Sequence, residues 1–188
     1  YEELKLLNSD LEKVSHKHKV FVAGNHDLMF ENFPITARSL TPAVTHYLND
    51  SGCEIEGIRF WGSPVTPYFH NWAFNRFPDE IQKHWELIPE GIDVLVTHGP
   101  PYGILDLLVP KSPTQKHLGC PLLAERVKEV KPGLHVFGHI HENGGSAKRI
   151  GKTLYVNASL LNDAYRRAFD PVVIDFDPKT RRFKRVRL

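Results

Sequence analysis

Three short apolar runs in this chain each break into a turn that carries a histidine. Val20-Phe21-Val22-Ala23 leads into Gly24-Asn25-His26-Asp27, Asp93-Val94-Leu95-Val96 into Thr97-His98-Gly99-Pro100, and Leu134-His135-Val136-Phe137 into Gly138-His139-Ile140-His141. Short apolar runs bounded by glycine and proline suit buried strands. Segments with helical spacing lie around them. Leu4, Leu7, Leu11 and Val14 predict an amphipathic helix over residues 2–15. A second helix is predicted over 78–88, opening on Pro78-Asp79-Glu80 with acids at the positive end of its dipole. A third carries Leu122, Leu123, Val127 and Val130 and is closed by Pro132-Gly133. Alternating strands and helices restrict the chain to an α/β layered architecture. In open α/β sheets ligands bind at the C-terminal ends of strands. The three turns therefore point to one site at the rim of a sheet.

The remaining segments fill in the same plan. Cys53 to Trp61 reads as a hairpin, Glu54–Glu56 then Ile58–Trp61, broken at Gly57. Residues 62–77 form an aromatic loop with Tyr68, Phe69, Trp72 and Phe74. The stretch after Asp27 is expected to be irregular, with a short helix over 42–50 started by Pro42. Strands are expected at Thr153–Asn157 and Val172–Phe176, and an edge strand over Arg182–Leu188. At 188 residues with 41% hydrophobic and 24% charged side chains, one globular domain over 1–188 is the expected organisation. A formal charge of +2 gives no electrostatic case for nucleic acid. No apolar run approaches the roughly 18 residues of a membrane span. Two cysteines, Cys53 and Cys120, are too few for a disulfide framework and fit a reduced, cytoplasmic setting.

The turns contain chemistry that strands alone do not need. The Asn25 carbonyl is a neutral hard donor for a divalent cation, and Gly24 allows the sharp turn that presents it. His98 is followed by Gly99-Pro100-Pro101, a rigid loop start rather than a continuing core strand. His139 and His141 are two apart, so in extended backbone both imidazoles face one side. Each turn also has a plain reading: an Asn-His turn closed by a helix-capping Asp27, a satisfied core histidine, and two surface histidines. His16, His18, His46 and His84 read as surface residues.

The three turns, in this order, resemble the last three sequence blocks of the calcineurin-like metallophosphoesterases. The runs Phe60-Trp61-Gly62-Ser63-Pro64, Trp72-Ala73-Phe74-Asn75 and Tyr155-Val156-Asn157-Ala158-Ser159 extend the resemblance to a branch named for its metallophosphoesterase domain. The resemblance implies a four-layer αββα sandwich of two mixed sheets. It implies two divalent metal ions, manganese first, with iron, zinc or nickel as options. Asn25, His98 and His139 would hold the second metal and His141 the first. His26 would donate a proton to the leaving oxygen while a metal-bridging hydroxide attacks phosphorus, and Asp27 would orient the His26 imidazole. The implied activity is phosphodiester hydrolysis on cyclic nucleotides or other small phosphodiesters. Asn75 and Asn157 are candidate substrate contacts.

The family's two earlier blocks, Asp-x-His and Gly-Asp, do not occur in this sequence. The chain is accordingly expected to lack an N-terminal strand, to expose a sheet edge that brings a folding defect or dimerisation, to bind at most one metal weakly, and to turn over poorly. Two other readings use the same residues. One is a scaffold or protein-interaction module that keeps the fold without the chemistry. The other is a nucleic-acid binder, suggested by Lys179, Arg181, Arg182, Lys184, Arg185 and Arg187, a pattern that a solvated edge strand explains equally well.

Overall fold

The computed structural model describes residues 1–108 and 116–186. Helix α1 (Glu2–Glu12) leads into strand β1 (Val20–Phe21), followed by two short helices, α2 (Leu28–Asn32) and α3 (Pro34–Leu40). Strand β2 (His46–Tyr47) precedes the hairpin β3 (Ser51–Ile55) and β4 (Ile58–Ser63). A short pair, β5 (Thr66–Pro67) and β6 (Asn75–Arg76), brackets the aromatic loop before helix α4 (Pro78–Glu86) and strand β7 (Val94–Thr97). Then come β8 (Leu107–Leu108), β9 (Lys116–His117), helix α5 (Pro121–Val130) and β10 (Leu134–Phe137). After a single 3₁₀ turn (His141–Asn143) the chain ends in β11 (Ala147–Ile150), β12 (Thr153–Asn157), β13 (Val173–Asp177) and β14 (Arg182–Val186).

Six strands form the large sheet in the order β11-β12-β10-β7-β4-β3. The inner four are parallel, and the edges β3 and β11 are antiparallel to their neighbours. Register places Ser63 opposite Thr97, and Phe137 opposite Asn157. The C-terminal ends of β4, β7, β10 and β12 thus share one rim, from which the His98 and His139 turns emerge. β7, β10 and β12 are covered on both faces, which is why they are short apolar runs rather than alternating ones.

On one face, Ile81, Trp85 and Ile88 of the α4 segment and Leu123, Val127 and Val130 of α5 pack on Leu95, Phe137 and Tyr155. On the other, Val94, Leu134, Leu154 and Val156 meet Phe183 of the β13–β14 hairpin. Toward the functional rim this second face is covered by the β1–β2 pair. A methyl added at Gly62 would lie 2.5 Å from Leu48 Cβ and 2.8 Å from Val22 Cγ2, so the two layers touch across this glycine. Phe21 and Tyr47, one residue earlier on each strand, point the other way and pack against Phe30, in a cluster that includes Leu4 and Ala37 of α1 and α3. The layers run helices, large sheet, short strands, helices, as expected. Among the described residues the second β layer consists of two separate pairs, β1–β2 and β13–β14.

Some local expectations differ from what forms. The stretch after Asp27 is not irregular but holds α2 and α3, and no helix covers 42–50. Pro34 occupies the first turn of α3, whereas Pro42 follows its end at Thr41. Proline is favoured at both places, because it starts a helix readily and cannot continue one. The first strand is shorter than Val20–Ala23, and β11 forms where no strand is expected. Of the C-terminal strand, Arg187 and Leu188 lie outside the described residues. No helix among the described residues is long and apolar enough to cross a membrane.

At the rim opposite the histidine turns, Asp93 fastens three elements together. Its Oδ2 accepts the Arg59 N–H at 2.8 Å and Arg181 Nη2–H at 2.5 Å, while Oδ1 accepts Arg181 Nε–H at 3.2 Å. Burial opposes its ionisation, but the Arg181 hydrogen bonds and the nearby cationic charge win and hold the carboxyl below its ordinary range. Asp93→Ala should lower stability by about 1–2 kcal/mol, because it removes the acceptor of the Arg59 N–H and of the half-exposed Arg181 guanidinium. Urea unfolding at pH 7 measures this. The contribution is present above the ordinary carboxylate range and is lost as pH falls through the lowered value.

Candidate metal centre

The chain leaves β1 through the buried pair Ala23-Gly24 and turns sharply. The Asp27 N–H donates to Gly24 O at 3.0 Å, and Asp27 Oδ2 accepts the Gly24 N–H at 2.6 Å. Burial raises the Asp27 carboxyl pKa against that hydrogen bond. Asp27 therefore closes the turn. Among the described residues no hydrogen bond joins its carboxylate to the His26 imidazole that it is expected to orient. The turn leaves Asn25 buried and His26 exposed. The His26 ring lies 5.0 Å from Trp72 and 6.2 Å from Tyr165.

His98 comes to Asn25 from the end of β7. Its Nε2 lies 2.6 Å from Asn25 Oδ1 across 73 residues of sequence. The approach depends on Gly24: a Cβ there would stand 2.5 Å from His98 Cε1 and 2.7 Å from Nδ1. Real Cβ atoms do not come that close to a ring held on both sides.

His139 follows β10 and lies 4.8 Å from His98, ring centre to ring centre. Its backbone is left-handed at φ 69°, a conformation costly for a residue with a Cβ and concentrated at functional sites. The Gly138 N–H donates to His98 O at 2.9 Å and holds the two turns together. His141 lies one position beyond Ile140. Its Nδ1 sits 2.9 Å from Asn162 O, a pure acceptor, so Nδ1 carries the hydrogen and Nε2 the lone pair. That is how a ligand histidine is oriented by a second partner.

Burial, then the cationic potential of His139, His26 and His141, pushes the His98 pKa down to about 3. Burial, with His141 and His26, pushes His139 down to about 4. Both rings are neutral at physiological pH, the form that binds metal.

Beneath them is a residue that sequence reasoning does not single out. His135 is fully enclosed, its Nε2 is 2.8 Å from Thr97 Oγ1, and Thr97 Oγ1 donates to Gly99 O at 2.7 Å. With its own hydrogen committed, Thr97 accepts from His135, which leaves His135 Nδ1 buried without a partner. The chain His135–Thr97–Gly99 fixes the backbone on both sides of His98. In the sequence His135 is one more residue of a strand, and only its polarity within an apolar run marks it.

The two asparagines expected to contact substrate both make hydrogen bonds within the protein. Asn75 accepts from Thr66 Oγ1 at 3.0 Å and donates to Phe69 O at 2.7 Å and His70 O at 3.2 Å, so its amide pins the aromatic loop. Asn157 is completely buried. It donates to Ile140 O at 2.8 Å and Leu105 O at 3.3 Å and accepts the Ser159 N–H at 3.1 Å. In both amides the NH₂ donates to two carbonyls and the oxygen accepts one bond; the partly exposed Asn75 keeps a second lone pair, whereas Asn157 is enclosed. Asp106, near the Pro100-Pro101 loop, is likewise spent on His117 and the Gly103 and Gly119 N–H groups.

Two donors on one cation with bonds of about 2.1 Å sit about 3 Å apart. His98 Nε2–H donates to Asn25 Oδ1 at 2.6 Å, so a cation would take the place of that hydrogen and part the two atoms slightly, and neutral His139 borders the same space. Asn25, His98 and His139 present neutral donors around one space that suits a divalent cation, while the His141 ring packs on Tyr165, which also borders His26. Among the described residues no three His, Cys, Asp or Glu side chains, His98, His139 and His141 included, are grouped closely enough to hold a metal ion by themselves.

The chain is similar to known proteins. The family model described as calcineurin-like phosphoesterase matches residues 2–143. Human metallophosphoesterase domain-containing protein 1 is 38% identical over 199 residues, covering 92% of this chain and 59% of the human protein. The UPF0046 protein K07C11.7 of Caenorhabditis elegans is 30% identical, over 95% of this chain and 64% of that protein. The chain thus spans about three fifths of the length of these relatives. The crystal structure of the Thermus thermophilus protein TT1561 superimposes with a TM-score of 0.59 at 15% identity, over 98% of this chain and 78% of that one, and shows the same fold. On the family match and the identity to its relatives, this chain belongs to the calcineurin-like phosphoesterase family.

Proposed function

We propose that the protein hydrolyses small phosphodiesters, cyclic nucleotides among them, with a divalent cation, manganese first, held by Asn25, His98 and His139 and supplemented by His141. The observation that carries this reading is the Asn25–His98 contact at 2.6 Å beside a strained, neutral His139. When bound, the cation supplies charge neutralisation at the phosphate oxygens and activates water. The chain's own residues do the rest. The neutral donors leave the site's charge favourable to an anionic ester. His26, exposed at the rim between Trp72 and Tyr165, reaches the leaving oxygen and gives it a proton. Two free cysteines support a reduced cytoplasmic setting.

The test is hydrolysis of 2′,3′-cyclic nucleotides and bis-p-nitrophenyl phosphate with manganese. His26→Ala should lower the rate on the cyclic nucleotide about 100-fold or more. It should affect the nitrophenyl ester far less, because that leaving group departs without protonation. Equal losses on both esters would remove His26 from the role of acid.

The scaffold reading is favoured by one observation: among the described residues no three His, Cys, Asp or Glu side chains are grouped to hold a metal ion. Calorimetric titration with manganese separates the two: no binding at millimolar cation supports a protein-interaction module.

A further inference from the structure

Beside His139, on the face of the large sheet covered by α4 and α5, lies a cavity of about 180 Å³. Val65, Pro67, Trp85, Leu118 and Leu123 form its walls, and Gly99 and His139 form the side toward the candidate metal centre. The polar side chains buried in the wall are already engaged. Thr66 Oγ1 donates to Asn75 at 3.0 Å, and Cys120 Sγ accepts the Trp85 indole N–H at 3.3 Å. The Cys120 N–H is also used, on Pro100 O at 3.0 Å. Tyr68 at the wall stacks on Phe77 with ring centres 4.4 Å apart, which fixes one side.

These features select the chemistry of an occupant. Apart from the Tyr68 hydroxyl and the His139 ring, a base or sugar that enters meets apolar or already bonded side chains among the described residues and gives up hydrogen bonds to water, which is costly. An unsubstituted ring loses nothing and gains burial. The size also suits a ring, since an apolar cavity of about 150 Å³ holds benzene.

We propose that this cavity is the substituent site of the enzyme and takes an aryl group of the phosphoester, with the phosphate at the Asn25–His98–His139 rim. The proposal rests on the hydrolase reading and narrows its substrate class: aryl phosphodiesters are preferred to esters whose substituent must hydrogen-bond.

Fluorobenzene, followed by fluorine NMR, tests the cavity without phosphate or metal. It should bind the unmodified protein and bind at least about tenfold more weakly to Val65→Phe, which fills the space. Leu118→Gln, at a partly exposed wall position where folding is not at stake, should weaken it in the same direction. With bis-p-nitrophenyl phosphate as reporter, phenylphosphonate should inhibit about tenfold more strongly than methylphosphonate, and Val65→Phe should erase the difference. Failure of fluorobenzene to bind, equal binding to both variants, or equal inhibition by the two phosphonates would overturn the proposal. If no diester is hydrolysed at all, the hydrolase reading falls, and the cavity is judged on fluorobenzene alone.

Discussion

Gly24→Ala is expected to cut divalent-cation affinity and phosphodiester hydrolysis by about 100-fold while leaving a folded protein. The added methyl would overlap His98 Cε1 at 2.5 Å. Gly24 is not left-handed in this structure, so alanine adds no backbone strain, and the whole effect is steric. His98 cannot retreat within its own strand end, because Thr97 is bonded to Gly99 O and His135 behind it, and Gly138 is bonded to His98 O. The ring must swing away from Asn25, which removes one donor and displaces a second. Disturbing residues that orient ligands typically costs about 10–100-fold, and loss of a ligand lies at or beyond the upper end. The stability cost of the overlap is about 1–3 kcal/mol. Manganese titration by calorimetry and thermal melts, run on the same preparation, check both numbers. Unchanged affinity would mean that His98 does not take part in cation binding.

Acid is expected to destabilise the metal-free protein steeply well above the carboxylate range. His135 is pushed down to about 3 by burial, His98 to about 3 and His139 to about 4. In the unfolded chain each titrates near about 6.5. Between that value and the folded values the unfolded state holds more protons, so stability rises with pH across the window and falls as pH is lowered. Each histidine contributes at most about 1.4 kcal/mol per pH unit. Three together give up to about 4 kcal/mol per unit between pH 6 and pH 5, comparable to a large share of a small domain's stability. Urea midpoints measured at pH 7, 6 and 5 test the slope. His135→Gln should flatten it by about one third, since an amide can still meet Thr97 but does not titrate. A stability curve flat from pH 7 to pH 5 would contradict neutral burial of these rings. Bound cation should steepen the loss, because protons then compete for the same nitrogens.

The parts of the molecule legible in the sequence are those set by local pattern. β10 is legible at its full span because Leu134–Phe137 is bounded by glycine on both sides. The hairpin at Gly57 is legible because a left-handed turn needs such a residue, and it does sit at φ 78°. The four candidate donors stand out because glycine next to histidine after an apolar run is an expensive choice for a mere strand end. What escapes the sequence depends on partners far along the chain. Asn75 and Asn157 have the right chemistry for substrate contacts, but their NH₂ groups donate to backbone carbonyls that no spacing rule identifies. Asp27 lies beside His26 in sequence, yet its carboxylate turns back to Gly24. His135 looks like filler in a strand, and only Thr97, 38 residues earlier, gives it a task. The helices α2 and α3 are hidden because each is shorter than two full periods of its own pattern or barely reaches them, and tertiary packing of Phe30 and Ala37 decides them.

The four parallel strands at the centre of the large sheet have their two ends assigned to different tasks. Arg181 and Arg59 gather on Asp93 at the start of β7, and His98 leaves from its finish, a short strand's length of about 13 Å away. A protein built this way can trade anchorage without touching reactivity. Selection for heat tolerance has the Asp93 end to work on, and selection for a new ester has the histidine end. Changes drawn from the two ends should combine additively, since no side chain is shared between them.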